Sequence, residues 1–363
     1  MTANTIQIKQ ENSYLNLLRF LFSLWICLYH WGGAFSGGYL AVCFFFTLSG
    51  FLVLHHLDMS NNSTVSNDVY SNCLHFLKRK ISKLYPHFLF SFIILFILKV
   101  VILDKVSLSD ALTTSFWELT FLQNIGLTSS GVLINTVTWY LSAQIIAGYF
   151  VYYLLLRCYK LYLYIIAPLS IIFAFCYFYQ RFGHLGTASQ LTLITTTGMI
   201  LGFACMSLGC IAYKLYVYLN TLLNKSNLFL RILQTIFELI IIGIAGILCY
   251  KAGRSDKDFV LVMLIAILYI SVFFNSSYVS TVLNKKHIRT VSNQLGRLSY
   301  AIFLNHFAVI YFLKYCWSPL HTESYWKNAG VFLGITFVYS LATQFFVAWI
   351  TPYIKRGLKL ILK

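Results

Sequence analysis

Apolar runs of about twenty residues recur along the whole chain, separated by short polar connections. A run of that length is what an α-helix needs to cross a bilayer. The pattern predicts an all-α integral membrane protein: residues 1–363 form a single membrane domain with no appended soluble domain. Ten membrane-spanning helices are expected at about 14–31, 38–57, 85–103, 136–156, 161–180, 191–213, 232–250, 259–280, 298–317 and 329–350.

Composition supports this class. Hydrophobic residues make up 59% of the chain and charged residues only 10%, whereas a soluble domain carries about 25% charged residues. The net charge of +17 would suggest nucleic acid for a soluble protein. No basic soluble face is present to carry that role, so we expect contacts with anionic lipid instead of nucleic acid.

The basic residues lie mostly in alternate loops, which is the positive-inside pattern. It predicts that both termini are cytoplasmic and that the protein is multi-pass in a bacterial cytoplasmic (inner) membrane. The bacterial source is suggested by frequent Ile, Lys, Asn and Phe. The predicted inner side holds 18 of the 27 basic residues: Lys9, Lys78, Arg79, Lys80, Lys83, Arg157, Lys160, Lys214, Lys225, Arg231, Lys285, Lys286, Arg289, Arg297, Lys355, Arg356, Lys359 and Lys363.

Residues 104–135, between the third and fourth spans, contain the apolar stretch SFWELTFLQNIG. At about a dozen residues this stretch is too short to cross, so we predict an interfacial or re-entrant piece. The nine cysteines are scattered with no C-x-x-C spacing, and we expect neither a disulfide framework nor a metal site.

Arg19 and His30 are two ionisable residues within the first apolar helix. Eleven helical steps bring both to one face, about 16 Å apart along the axis. Such residues inside a membrane helix indicate a functional site. Trp31, Gly32 and Gly33 follow at once, and a neutral imidazole there is suited to take a proton from a hydroxyl. His30 could instead be a half-solvated histidine at headgroup level. Arg19 could snorkel to the interface, or pair with an acid such as Glu238.

A cationic stretch, FLKRKISKLYPHF at residues 76–88, precedes the third span. Arg79, Lys80 and Lys83 are candidates to bind the phosphates of a cytosolic cofactor. Positive-inside retention alone would also explain them.

Six further polar or aromatic residues are candidates to line or support a substrate site. For several of them an aromatic belt or helix–helix packing is an adequate alternative explanation, and we expect His306 to pack or line a cavity rather than act as a second catalyst. They are Ser49, Trp139, Tyr140, Gln144, Tyr300 and His306.

Five segments, RFLFSLWICLYH with the following glycine pairs, FFFTLSGFL, KRKISKLYP, WYLSAQ and LGRLSYAIFLNH, occur in an order that resembles the acyltransferase 3 family of membrane proteins. The resemblance implies a ten-span acyltransferase that transfers groups other than amino-acyl groups. It would move an acyl group, usually acetyl from acetyl-CoA, to a cell-surface or lipid-linked polysaccharide such as O-antigen or capsule. Polysaccharide-biosynthesis proteins are then expected partners.

The family's arginine–histidine motif falls on Arg19 and His30, and its acyl-CoA-linked arginine pair falls on Lys80 and Lys83. The lysines keep the charge but lose the bidentate fork of arginine. Ala41 and Cys43 stand where relatives often show glycine and an acidic residue.

Two other functions stay open from the sequence. A glycan or lipid-linked sugar transporter or flippase would line its path with the same polar residues. An integral-membrane glycosyltransferase would need a carboxylate in the first outer loop, and residues 31–38 contain none.

Overall fold

A computed structural model describes residues 12–60, 68–127, 133–187, 190–192, 195–223, 227–251, 253–316 and 324–361. Lys9, Lys225 and Lys363 of the predicted inner side lie outside these residues. The described part contains helices and no strand. The helices are α1 Ser13–Trp31, α2 Ala41–Ser60, α3 Val69–Phe96, α4 Leu108–Leu119, α5 Trp139–Arg157, α6 Tyr159–Leu161, α7 Ala167–Phe182, α8 Thr197–Leu222, α9 Leu228–Lys251, α10 Lys257–Phe274, α11 Tyr278–Leu283, α12 Lys286–Tyr315 and α13 Tyr325–Ile361. Single π-helical turns extend α3 over Ile97–Ile102 and join α6 to α7 over Tyr162–Ile166.

Nine helices of the described residues are long and apolar enough to cross a membrane, so the protein is a multi-pass, all-α integral membrane protein. Each corresponds to one of the ten predicted spans. The first predicted span forms α1, which is 19 residues long but less apolar than the other nine. Asn16, Arg19, Ser23 and His30 lower its hydropathy, and α1 is covered by other helices.

The helix α1 begins and ends where local chemistry requires it. The side chain of Asn12 accepts a hydrogen bond from the backbone N–H of Leu15 and caps the first turn. At the other end, Gly32 adopts φ 95°, and its N–H bonds to the carbonyls of Leu28 and Tyr29. Only glycine adopts this conformation without strain, so the helix ends directly after His30 and Trp31.

Packing places α1 between α12 on one side and α2 on the other. Phe22 of α1 stacks on Phe44 of α2 with ring centres 4.0 Å apart. On the opposite side, Asn16 donates to Asn293 of α12 at 3.0 Å, and Gly296 meets the Asn16 side chain directly. The residues of α1 are therefore fixed against two neighbours.

The short stretch expected to be interfacial forms α4, a 12-residue helix capped by Ser107. A helix of 12 residues is too short to cross the membrane. Its Glu118 is fully buried against the segment that leads into α5, and residues 128–132 of this connection lie outside the described part.

Candidate active site

His30 lies in contact with a second histidine. The ring of His306, on α12, stacks on His30 with centres 5.2 Å apart and planes 29° from parallel. Phe307 closes the group, with its ring centre 4.7 Å from His30 and 4.9 Å from His306. His30 is half-buried, so its imidazole is held inside the bundle by aromatic neighbours.

His306 is fully buried, with 0% of its surface exposed. Neither of its ring nitrogens makes a well-formed hydrogen bond with a described residue, and the ring interacts only weakly with the backbone carbonyls of Ile302 and Phe303 one turn earlier on α12. A buried polar group without a partner costs about 1–3 kcal/mol, and such groups are rare in native proteins. The weak contacts with Ile302 and Phe303 offset only part of this cost, and a phenylalanine would fill the same space without it.

Arg19 lies at the other end of α1. Its Nη1 donates to Asn16 Oδ1 at 3.1 Å. The acid Glu238 instead accepts hydrogen bonds from Gln234 at 3.0 Å and Ser271 at 2.7 Å.

Three cationic residues of α3 lie together, and one of them, Lys80, lies in the field of Arg19. Lys80 interacts electrostatically with Arg19, Arg79 and Lys83. Lys80 is half-buried, while Arg79 and Lys83 are exposed. His56, at the end of α2, lies in the field of the same three α3 cations. No carboxylate of the described residues lies within ion-pair distance of Arg79 or Lys80. The group is a concentration of positive charge at one end of the bundle.

Between the two ends lie four of the other predicted residues. Gln144 donates to Ser49 at 2.7 Å, and Tyr140 lies beside Ser49 and within the field of Arg19. The hydroxyl of Tyr300 donates to the carbonyl of Leu84, the residue after Lys83, at 3.1 Å. These contacts join α2, α3, α5 and α12 around the middle of the bundle.

Aromatic contacts continue from this middle layer to the histidines. Tyr140 meets Phe303 with ring centres 5.4 Å apart, and Phe303 meets His306 at 6.3 Å. Trp139 packs on Phe46 at 6.1 Å, so it forms part of the wall beside Tyr140. Contacts thus link the predicted site residues from the cationic end to the histidine pair; their roles stay predictions.

A separate apolar groove of about 610 Å³ lies between α5, α7 and α8. Its lining includes Phe150, Phe173 and Phe203 and none of the predicted site residues. We therefore do not include it in the candidate site.

Sequence reasoning gave no role to a buried polar cluster beside α12. It contains Ser91, Lys99, Glu118 and Asn135, each with at most 2% of its surface exposed. A polar residue inside an apolar span marks His30 in the sequence. Glu118 and Asn135 lie in the connection predicted to be interfacial or re-entrant, where polar residues carry no such signal. Among the described residues, no group of three or more His, Cys, Asp or Glu side chains could hold a metal ion.

The acyltransferase 3 family model, described as an acyltransferase domain, matches residues 12–349, which is nearly the whole chain. The chain belongs to this family and is an acyltransferase acting on groups other than amino-acyl groups. No curated protein and no solved structure matches the chain significantly.

Proposed function

We propose that the protein transfers an acyl group, most simply acetyl, from cytosolic acyl-CoA to a hydroxyl of a cell-surface or lipid-linked polysaccharide. The observation that carries this proposal is the placement of two chemistries at opposite ends of the same helices. A cationic cluster suited to phosphates lies at one end, and a pair formed by half-buried His30 and fully buried His306 lies at the other. The orientation that fits this proposal places the protein in a bacterial inner membrane, with the cationic end and both termini on the cytoplasmic side.

The donor fits the cationic end because coenzyme A carries several phosphate charges. Arg79, Lys80 and Lys83 would bind those phosphates as point charges or, for Arg79, as a bidentate fork. Arg19 lies in the field of Lys80 at this end of the bundle and would attract the thioester carbonyl or a phosphate.

His30 acts as the general base at the other end. It takes the proton of the acceptor hydroxyl while the oxygen attacks the thioester carbonyl. The new ester C–O bond forms, the C–S bond breaks, and the proton passes from His30 to the departing thiolate of coenzyme A. The ring nitrogens of His306 are available to hydrogen-bond the reacting groups beside His30.

The rival function is a glycan transporter or flippase. It gains no support from family membership, and it gives no reason for a base at one end of the helices and a cation cluster at the other. The proposal is tested by mass spectrometry of surface polysaccharide with and without this gene. For an acetyl group, we expect the polysaccharide made without the gene to be lighter by about 42 Da per repeat. This is the mass difference between an acetyl ester and a free hydroxyl. Unchanged acylation together with lost surface display would favour transport instead.

A further inference from the structure

Asn135 is a fully buried residue in the segment that leads into α5. Its side-chain amide donates to Ser91 Oγ at 3.2 Å and to the carbonyl of Leu304 at 3.1 Å. Ser91 of α3 donates to the same carbonyl at 2.8 Å. A carbonyl oxygen accepts more than one hydrogen bond, so two different segments converge on a single backbone group of α12.

That backbone group belongs to the helical turn that carries His306. The next residue, Asn305, donates to Thr343 of α13 at 3.0 Å. No well-formed hydrogen bond ties the His306 ring to another helix, and its polar contacts are with the Ile302 and Phe303 carbonyls of α12 itself. Its position is therefore set by ring packing and by where the backbone of this turn is held.

Asn135 is itself fixed by a buried carboxylate. Glu118 of α4 accepts hydrogen bonds from the backbone N–H groups of Ile134 and Asn135 and from the Thr138 hydroxyl. Amides at a helix start lack partners within the helix, and a carboxylate there is favourable. Lys99 donates to the carbonyl of Leu133 at 3.1 Å and holds the segment from the α3 side.

We propose that Asn135 is a positioning residue for acyl transfer, because its hydrogen bond to Leu304 keeps the His306 imidazole stacked on His30. The inference rests on the proposed function, since it concerns the same histidine pair. It assigns to the connection between α4 and α5 the task of holding the catalytic end of α12.

The test replaces Asn135 by aspartate, which keeps the size of the side chain and removes both N–H donors. A displacement of about 1 Å in a catalytic group can lower a rate about 10²-fold. We expect kcat for transfer from acyl-CoA to fall about 10²-fold, while KM for acyl-CoA, which depends on the cationic end, stays unchanged.

Asn124→Asp is the matched control. Asn124 lies in the same connection with 2% of its surface exposed, and its side-chain nitrogen has no hydrogen-bond partner among the described residues. Because this change removes no such donor contact, kcat should stay near the wild-type value.

A second readout does not depend on turnover. Diethyl pyrocarbonate modifies neutral imidazole nitrogens that it can reach, and mass spectrometry locates the modified residue. His306 should react slowly in the wild type and in Asn124→Asp, and faster in Asn135→Asp.

The outcomes separate the two proposals. A wild-type protein that transfers nothing from acyl-CoA overturns the proposed function, and the labelling still reports on Asn135. If the wild type is active but Asn135→Asp matches Asn124→Asp in kcat and in His306 labelling, the positioning role is wrong.

If Asn135→Asp does not reach the membrane, the variant Ser91→Ala provides the test instead. This variant removes the other donor to Leu304, and wild-type kcat with wild-type labelling would then overturn the proposal.

Discussion

The imidazole of His306 stacks on that of His30 with ring centres 5.2 Å apart. The two residues come from α12 and α1, the second-to-last and first long helices of the described chain. Contact between the rings means that a change in either one reaches the other. The pair is the structural basis for placing the acyl transfer step at this end of the bundle.

Replacing His306 by phenylalanine separates packing from chemistry. The flat ring is kept, and the two ring nitrogens are removed from a fully buried position. We expect the thermal midpoint in detergent not to fall, because the buried imidazole makes only weak polar contacts, with Ile302 and Phe303 of its own helix. We also expect kcat to fall about 10²-fold, the lower end of the contribution of a positioned acid–base group. A variant as active as the wild type would show that His306 only packs.

Lys80 and Lys83 are expected to bind the donor. Alanine at either position should raise KM for acyl-CoA about tenfold, since a hydrogen bond to a charged group is worth about 1.5–3 kcal/mol. The effect should shrink as salt rises, because exposed charges are screened. Arginine at both positions should lower KM by restoring a bidentate fork.

Lys78→Ala is the control for Lys80 and Lys83, since Lys78 is an exposed lysine of α3 two residues before Lys80. Steady-state kinetics at two salt concentrations measures all of these variants. If Lys78→Ala raises KM as much as Lys80→Ala and Lys83→Ala do, Lys80 and Lys83 form no specific donor site. The positive charge would then serve only membrane topology or a general attraction of acyl-CoA.

The buried carboxyl of Glu118 should make the free energy of unfolding depend on pH. Burial raises the pKa of Glu118 from 4.5 to about 7, against the smaller lowering by its hydrogen bonds and by Lys99. A carboxyl with a higher pKa in the folded protein binds more protons when folded. Its contribution to stability is therefore complete below about pH 4.5 and is lost as pH rises through about 7. The total is about 3 kcal/mol.

Thermal unfolding in detergent from pH 5 to 8 tests this dependence. The midpoint should fall with rising pH in the wild type and in Asp110→Asn, which alters an exposed acid of the same helix. It should change less in Glu118→Gln. Equal slopes in all three proteins would contradict the account.

Much of the helical layout follows from hydropathy, because a membrane span must be apolar over a fixed length. The predicted span 14–31 and the observed α1 agree within a residue at its start. The predicted span 85–103 lies within a longer helix, because α3 begins sixteen residues earlier, at Val69. Its first turns hold the cations and few apolar residues, and hydropathy alone does not distinguish such a helix from a loop. Likewise α12 begins at Lys286, ahead of the predicted span 298–317, and its first turns are also rich in cations.

The candidate site was predictable only in part. A charge and an imidazole inside an apolar run single out Arg19 and His30 from the sequence. The contact of His30 with His306 depends on which helices pack together, and a hydropathy pattern does not contain that information. Glu118 and Asn135 were missed because their importance comes from burial, which a polar connection in the sequence does not indicate.

The central claim is that His30 activates a hydroxyl for acyl transfer from a donor bound at the cationic end. Its most direct measurement uses purified protein in liposomes, isotope-labelled acetyl-CoA on the side where Lys80 lies, and a polysaccharide acceptor on the other side. The wild type should move label to the acceptor. His30→Ala should lose about 10²–10⁴-fold in rate with unchanged binding of acetyl-CoA, while His75→Ala, an exposed histidine on α3, should keep full activity. Full transfer by His30→Ala would contradict the account.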